Sequence, residues 1–566
     1  MHKAFIKRIK LVSTIVAIIF VAIAIRVFVL QVIDYREYKE RALRQQKSPV
    51  ADGVARGEIF MQKHTERVSV ASTESGWLLA VNPQKVIDPC ALYSELEKLM
   101  ALTLSREEFI RRASKKNDPH EIIEHHISAQ VRQSIESLKI VGIEFLPERW
   151  RVYPAGDFAS HLLGFIDAEG VGRYGVERAY EDSLSKEPEK DFSFFASDSF
   201  GSPEGASLLL TIDAGIQTKA EEITRQIQKA YDAKSAGVLI INPKTGKVIA
   251  MAAAPSYDPS AYAKVKNISI FSNPFVESLF EMGSVVKPLT MAAAVDAGVV
   301  TTESTYVDTG ERKIEDAVIK NFDGKARGRV NIQEILSQSL NLGAVHLMEL
   351  LGKDRFRDYI RGFGIGERTG IDLPSEAVGN TANLESPRFL EYATASFGQG
   401  ISMTALELVR ALSSIANGGF LVDPYIIEEV IVRGSALDSK SDSPKRRVIK
   451  EETARTVTRM LVEVVDKKLA NGKGKIPGYA VAAKTGTAQM ARTDGRGYSD
   501  EFLHSFFGYG PAFDPEFMVF LFLERPQGIR YASESLTQPF REIIQFLFSY
   551  FEVVPDRPQE LTKPSS

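Results

Sequence analysis

The stretch EMGSVVKPLTMAAAVDAG (residues 281–298) decides how this sequence is interpreted, because it places a serine and a lysine at the start of an apolar helix. Ser284 and Lys287 are three positions apart, so on a helix they lie on the same face. Pro288 indicates the helix start, since a proline in the first turn loses no internal hydrogen bond. A serine becomes a nucleophile when a neighbouring base takes its proton, and a neutral lysine can be that base. The same spacing also arises by chance in a chain this long, so the pair needs support.

Two later motifs supply that support. LSQSLNLGA (residues 336–344) contains Ser339 and Asn341 within or just after an apolar helical stretch. GYAVAAKTGTAQ (residues 478–489) contains Lys484 in an apolar run that is typical of a strand. In this order, S-x-x-K, S-x-N and K-T-G form the trio of penicillin-binding proteins and serine β-lactamases.

The residue types of the trio suit acyl transfer. Lys287 is a base only when neutral, so its pKa has to fall. Burial beside Val285 and Val286, and repulsion by Lys484, would both lower it. The Lys484 ammonium and the neighbouring threonine hydroxyl can hold a substrate carboxylate. The glycine that follows permits close approach of a substrate backbone to the strand.

The amino terminus predicts a membrane anchor. A basic tail, residues 1–10, precedes 23 apolar positions at 11–33, which as a helix would cross a bilayer. The alternative is a cleavable signal peptide, because Ala22 and Ala24 form an A-x-A pattern, but the apolar run continues beyond them. Lysines and arginines flank the run on both sides, so the positive-inside rule does not decide its orientation.

Composition limits the remaining choices. The chain has 566 residues, 44% of them hydrophobic, which is enough for two or three folded domains. Its net charge of −3, without a basic stripe, argues against a nucleic-acid partner. Cys90 is the single cysteine, so the sequence predicts no disulfide within the chain.

The pattern of elements predicts an α+β protein with helices packed on an antiparallel sheet. We expect a cytoplasmic tail (1–10), a single transmembrane helix (11–33), an elongated pedestal domain (34–205), a catalytic domain (206–556) and a flexible tail (557–566). The hairpin AGVLIINPKTGKVIAMAAAP and the strand-like EFMVFLFLERP belong to the catalytic domain.

Two other motifs have ordinary interpretations. GVGRYG (residues 170–175) matches a dinucleotide-binding fingerprint, but no buried strand leads into it. HEIIEHH (residues 120–126) lacks the second histidine of a zinc-protease motif and predicts a solvated helix face.

The sequence resembles class B penicillin-binding proteins, the monofunctional D,D-transpeptidases of bacterial cell-wall synthesis, from the anchor to about residue 556. Besides the trio, the resemblance lies in RGEIF (56–60), RVYPAGDFASHLLGFIDAEGVGRYGVERAYEDSL (151–184), NPKTGKVIAMAAAPSYDP (242–259) and SFGQGISMTALEL (396–408). It implies a penicillin-binding, serine β-lactamase-like catalytic domain behind the pedestal. GVGRYG then belongs to the pedestal.

The resemblance implies a role for each site residue. Ser284 is the acylated nucleophile, Lys287 its base, and Ser339 relays a proton to the leaving D-alanine. Asn341 binds the donor's peptide amide. The terminal carboxylate binds Lys484 and Thr485, with Gly486 beside them, and the backbone N–H groups of Ser284 and Thr487 form the oxyanion hole.

The resemblance also implies the partners. The substrates are peptidoglycan stem peptides ending in D-Ala-D-Ala, the inhibitors are β-lactams, and neither a cofactor nor a metal is needed. The catalytic domain lies outside the cytoplasmic membrane and works with a polytopic glycan polymerase and other division proteins. Moderate length and a short tail favour a division enzyme. The alternatives are an elongation-type transpeptidase, and a penicillin-binding scaffold or β-lactam sensor.

Overall fold

The computed structural model describes Phe20 and residues 54–186, 204–432, 435–438, 446–492 and 497–561. The predicted tail (1–10) and membrane span (11–33) therefore lie outside the described residues, Phe20 excepted. Within the described part, no helix has the length and apolar character that crossing a membrane requires. The chain divides into a smaller unit, Met1–Ala55 with Thr73–Trp150, and a larger unit, Arg56–Ser72 with Arg151–Ser566.

The described strands are β1 Ile59–Lys63, β2 Glu66–Val81, β3 Glu121–Ile127, β4 Ile143–Val152, β5 Phe165–Ile166, β6 Gly172–Arg173, β7 Ser207–Asp213, β8 Ser235–Ile241, β9 Val248–Ala254, β10 Thr305–Asp308, β11 Glu311–Ile314, β12 Ala317–Lys320, β13 Gly328–Asn331, β14 Phe420–Leu421, β15 Ile427–Val432, β16 Ser435–Asp438, β17 Arg446–Arg447, β18 Ala482–Ala491, β19 Tyr498–Gly510 and β20 Phe517–Glu524.

The described α-helices are α1 Pro89–Glu97, α2 Arg106–Ala113, α3 Ala129–Ser137, α4 Ser160–Leu163, α5 Gly175–Ala179, α6 Glu181–Ser185, α7 Ala214–Ala230, α8 Pro274–Glu277, α9 Lys287–Asp296, α10 Gln333–Ser337, α11 Asn341–Leu351, α12 Lys353–Gly362, α13 Phe389–Ala395, α14 Ala405–Ala416, α15 Glu451–Glu463, α16 Ala532–Ser535 and α17 Thr537–Tyr550. Short 3₁₀ helices include Gly283–Val286 and Leu469–Gly472, and a π-helical turn spans Val464–Lys468.

The larger unit is built on a five-stranded antiparallel sheet in the order β18-β19-β20-β8-β9. Its strands carry apolar side chains on both faces. Along β20, Met518, Phe520 and Phe522 pack into one core, while Val519 and Leu521 pack into the other. Because a strand directs successive side chains to opposite faces, this sheet is covered by helices on both sides. The predicted α+β class and antiparallel sheet are confirmed.

Each face of the sheet has its own helices. Helices α7 and α17 contribute the apolar residues of one core, including Ile223 and Ile543. Helices α9, α11 and α14 are buried in the other, which includes Leu289 and Val345. The predicted hairpin is the β8–β9 pair, and Gly246 in its turn has φ of 81°. A side chain at Gly246 would also collide with the Asp423 carbonyl, so glycine is required there.

A second sheet in the larger unit contains β16, β15, β7, β1 and the first part of β2, in that order. Beside it lies a buried ionic cluster. Glu177, with its side chain fully buried, accepts hydrogen bonds from Arg56 Nε at 2.6 Å and Arg151 Nε at 2.7 Å. Arg56 also reaches Glu181 at 2.9 Å. The last residue of GVGRYGVE (170–177) is Glu177, which is the countercharge for Arg56 and Arg151. The motif therefore has a structural role.

The smaller unit packs α1, α2 and α3 on the second part of β2 and on β3, around Leu79, Phe109 and Ile123. The prediction of a helix at HEIIEHH is wrong, because Glu121–Ile127 is strand β3, paired antiparallel with β2. Ile123 and Ile127 face the core, whereas His125 and His126 are exposed. Polar residues dominate this segment, so its few apolar positions form no alternating pattern from which a strand could be predicted.

Candidate active site

The serine–lysine pair lies where a tight turn enters a helix. Ser284 is part of the 3₁₀ turn Gly283–Val286, and Lys287 begins α9, with Pro288 in its first turn. Val285 and Val286 are buried in the core and so anchor this turn. The structure therefore places both residues one turn apart, with the nucleophile candidate at the surface and the lysine behind it.

The Lys287 side chain is fully buried and hydrogen-bonded to the second motif. Its Nζ donates to the Ser339 carbonyl at 2.6 Å and to Asn341 Oδ1 at 2.8 Å, and lies 3.2 Å from Ser339 Oγ. Within the described part of the chain, no hydrogen bond joins Lys287 Nζ to Ser284 Oγ. The position of the Lys287 amine is therefore fixed by Ser339 and Asn341 of the second motif.

The second motif lies at a break between two helices. Helix α10 ends at Ser337, and Ser339 adopts φ of 55°, an uncommon left-handed conformation. Asn341 then begins α11, and its Nδ2 donates to the Lys320 carbonyl at 2.9 Å. The sequence predicted one helical stretch here, and the break is what directs both Ser339 and Asn341 toward Lys287.

The third motif lies on β18, which pairs with β19. Lys484 is 2% exposed, and its Nζ donates to Ser339 Oγ at 3.1 Å and to the Thr485 carbonyl at 2.9 Å. Ser339 Oγ is therefore shared by the two lysines. The three motifs, far apart in sequence, meet at this hydroxyl.

Burial controls the charge of both lysines. Burial, with the added repulsion of Lys484, lowers the pKa of Lys287 well below its ordinary value. Burial lowers the pKa of Lys484 to about 7. A neutral Lys287 has two N–H donors, which the carbonyl oxygens of Ser339 and Asn341 accept. Its lone pair is then left for a hydroxyl group, and the hydroxyl within reach is Ser339 Oγ at 3.2 Å.

Gly486 is needed for packing. A Cβ at Gly486 would lie 2.5 Å from Ser505 Oγ and 2.9 Å from the Met282 carbonyl. The absent side chain therefore lets β18 lie against the turn that carries Ser284. The neighbouring Thr487 accepts a hydrogen bond at Oγ1 from the Ala532 backbone at 3.0 Å.

A cavity of 1320 Å³ opens at these motifs. Of the predicted site residues, those that line it are Ser284, Ser339, Asn341, Lys484, Thr485 and Thr487. Lys287 and Gly486 lie behind its wall. One ligand in the cavity can therefore contact the Ser284 hydroxyl, the Asn341 amide and the Lys484 side chain.

Sequence reasoning missed several contributors. Glu281, three residues before Ser284, accepts a hydrogen bond from the Tyr498 hydroxyl at 2.8 Å. Gly283 N–H donates to the Gly398 carbonyl at 3.0 Å, so the SFGQG segment supports the turn that carries Ser284. Only the quoted family-like stretch gave a signal for Gly398. Tyr498 comes from β19 and had none.

The chain resembles proteins of known family over most of its length. Residues 236–545 match the penicillin binding protein transpeptidase domain, and residues 51–202 match the penicillin-binding protein dimerisation domain. The stage V sporulation protein D of Bacillus subtilis is 32% identical over 492 residues, covering 84% of this chain and 74% of that protein. The peptidoglycan D,D-transpeptidase FtsI of Buchnera aphidicola is 28% identical over 588 residues, covering 98% and 97%.

A solved structure shares the fold. Penicillin binding protein 3 of Mycobacterium tuberculosis, complexed with aztreonam, gives a TM-score of 0.69 at 24% identity, covering 90% of this chain and 98% of that one. The likeness extends over both the larger part of this chain and nearly all of the solved one.

Proposed function

Since the chain belongs to the penicillin-binding proteins, as a class B member of division type, we propose that its cavity is the active site of a peptidoglycan D,D-transpeptidase. The observation that carries this proposal is the meeting of Lys287, Lys484 and Asn341 around Ser339. Such a site performs acyl transfer from a stem peptide ending in D-Ala-D-Ala to an amine on a neighbouring strand.

In the first half-reaction, the neutral Lys287 takes the proton of Ser284, whose Oγ attacks the penultimate D-alanine carbonyl. The C–N bond to the terminal D-alanine breaks, and Ser339 passes a proton to the leaving nitrogen. Lys484 and Thr485 bind the terminal carboxylate, and the backbone N–H groups of Ser284 and Thr487 stabilise the oxyanion. In the second half-reaction, the acceptor amine attacks the ester carbonyl, so that the new amide C–N bond forms and the C–O bond to Ser284 breaks. The proton lost by the amine returns through Lys287 to Ser284 Oγ.

β-Lactams resemble the D-Ala-D-Ala terminus, so they acylate the same serine. The test is labelling of the purified protein with a fluorescent penicillin, followed by peptide mapping. We expect one labelled peptide containing Ser284, no label in Ser284→Ala, and nearly none in Lys287→Ala. Persistent labelling of the Ser284→Ala protein would refute the assignment.

The cellular setting of the proposal is septal wall synthesis, supported by the likeness to the transpeptidase FtsI. The apolar run at 11–33 serves as a single-pass anchor, with residues 34–566 outside the cytoplasmic membrane, where peptidoglycan lies. A carboxyl-terminal reporter that works only after export tests this topology, and an active cytoplasmic reporter would reverse it.

The two matched domains account for most of the chain, so glycan polymerisation falls to a separate, polytopic partner. Replacing residues 11–33 with an unrelated apolar helix should weaken co-purification with that polymerase and leave penicillin labelling intact. Glycan synthesis by the purified protein alone would contradict this division of labour.

A further inference from the structure

The wall of the cavity is strongly basic. Among the described residues that line it, one side chain is acidic, Glu534, and six are basic: Lys320, Lys468, Lys473, Lys484, Arg530 and Arg541. The whole chain has a net charge of −3, so this excess is local. A positive cavity raises the local concentration of anionic ligands and orients them.

Three of these cations already have a neighbour or a role. Lys484 belongs to the acylation site. Lys320 pairs with Glu311 at 2.9 Å, and Lys468 lies 3.9 Å from Glu334. In contrast, the ion pairs of the described residues include none of Lys473, Arg530 or Arg541. These last three are available to a ligand's negative charge.

Arg541 carries the most specific indication. It lies on α17, one turn after Gln538, which also lines the cavity. Arg541 is half-buried, and its Nε is enclosed without an acceptor among the described residues. Because Arg541 lines the cavity and is only partly buried, its guanidinium can pair there with a planar carboxylate through two parallel hydrogen bonds, although the enclosed Nε is not itself open to a ligand.

Arg530 is held next to the carboxylate-binding strand. Its carbonyl accepts a hydrogen bond from His504 Nε2 at 3.0 Å, and two residues later Ala532 N–H donates to Thr487 Oγ1. His504 is the β19 partner of Thr487. Arg530 therefore lies next to the site proposed for the terminal D-alanine carboxylate. Other parts of a bound peptide would lie there.

We propose that this cavity is specific for stem peptides whose internal carboxylates are free, as opposed to amidated, and that Arg530, Arg541 and Lys473 bind those carboxylates. The inference rests on the proposed transpeptidase function and adds the chemical class of its substrate. The free carboxylates can belong to the donor strand or to the acceptor strand, and the recognition chemistry is the same.

The experiment compares pairs of synthetic stem peptides that differ only in amidation of the internal carboxylates, using the full-length protein in detergent. In the donor arm, the pair ends in D-Ala-D-Ala and a small D-amino acid is the acceptor. In the acceptor arm, a simple D-alanyl thioester is the donor and the pair supplies the amine. Mass spectrometry follows the formation of product, and kcat/KM is obtained from its rate. Penicillin labelling of Ser284 is the check on acylation.

In at least one arm, we expect the free acid to react about tenfold faster than the amide, as one charge-assisted contact predicts. Arg541→Gln and Arg530→Gln should each reduce that preference, and higher salt should reduce it too. Arg455→Gln, an exposed arginine on α15 away from the cavity, should leave it unchanged.

Equal rates for acid and amide in both arms, with normal labelling of Ser284, would overturn this inference alone. A preference that survives both arginine substitutions would overturn the residue assignment. Absence of labelling in the wild-type protein would overturn the transpeptidase proposal and this inference with it.

Discussion

The Nζ atom of Lys287 lies 2.8 Å from the side-chain oxygen of Asn341, so the second motif holds the amine that the first motif needs. An uncharged amide oxygen is suited to this position, because it accepts a hydrogen bond without favouring the ammonium form. A carboxylate in its place would favour that form strongly.

Asn341→Asp tests this directly. The new carboxylate should raise the pKa of Lys287, leave less neutral amine at pH 7, and slow acylation by about tenfold or more. Part of the rate should return at higher pH. The measurement is the second-order rate of penicillin labelling, and Gln399→Glu, on the cavity wall, is the matched control. Equal slowing in the control, or no recovery at high pH, would count against the base assignment.

The second lysine should be visible in the pH dependence of acylation. Burial lowers the pKa of Lys287 most, and the charge of Lys484 lowers it further. Lys287 acts when deprotonated, so the rate rises with pH through its pKa. Lys484→Gln removes the repulsion, so that limb should move to higher pH. Lys468→Gln, a change at another lysine of the cavity, should leave the rising part of the pH–rate profile in place. If that part does not shift in Lys484→Gln, the charge of Lys484 has no effect on the pKa of Lys287.

The fold and the site were predictable from sequence to different degrees. The continuous apolar run in EFMVFLFLERP predicted a strand, and the structure has β20 there, buried on both faces. The trio predicted which residues meet, because each motif carries its chemistry in a few adjacent positions. Both predictions rest on local patterns.

What the sequence did not predict depends on distant parts of the chain. The break at Ser339 follows from contacts with Lys287 and Lys484, which supply partners for a conformation that serine alone would avoid. Arg530 and Tyr498 reach the cavity through strand pairing and loop hydrogen bonds. Neither residue type nor spacing signals such a position.

The buried ionic cluster predicts a large effect on stability. Burial alone would raise the pKa of Glu177, but Arg151 and Arg56 lower it, so the carboxylate is charged and pairs with both. Glu177→Gln removes the buried countercharge that Arg151 and Arg56 share, while Arg56 keeps its ion pair with Glu181, and should destabilise the larger unit by about 3–5 kcal/mol.

The measurement is the thermal unfolding midpoint, with penicillin labelling at low temperature to show that the active site survives. Glu181→Gln is the control, since Glu181 pairs with Arg56 but its side chain is 27% exposed. Its effect should be clearly smaller. Similar midpoints for the two variants would show that Glu177 contributes no more than a partly exposed ion pair.

His504 should make the stability of the larger unit depend on pH. It is buried beside Ser535, which it contacts at 2.8 Å through Nδ1, and burial lowers its pKa to about 4. In the unfolded chain a histidine binds its proton near pH 6.5. The unfolded state therefore gains the proton first as pH falls, so the folded state loses stability between about pH 6.5 and 4.

The loss from one such histidine reaches about 3 kcal/mol when the whole interval has been crossed. His161 is buried as well, with its pKa lowered to about 4 by burial, and so provides a matched second case. Unfolding midpoints measured at pH 7.5 and 5.0 should differ less in His504→Gln and in His161→Gln than in the wild type, and least in the double variant. An unchanged difference in the double variant would assign the acid sensitivity to carboxylates instead.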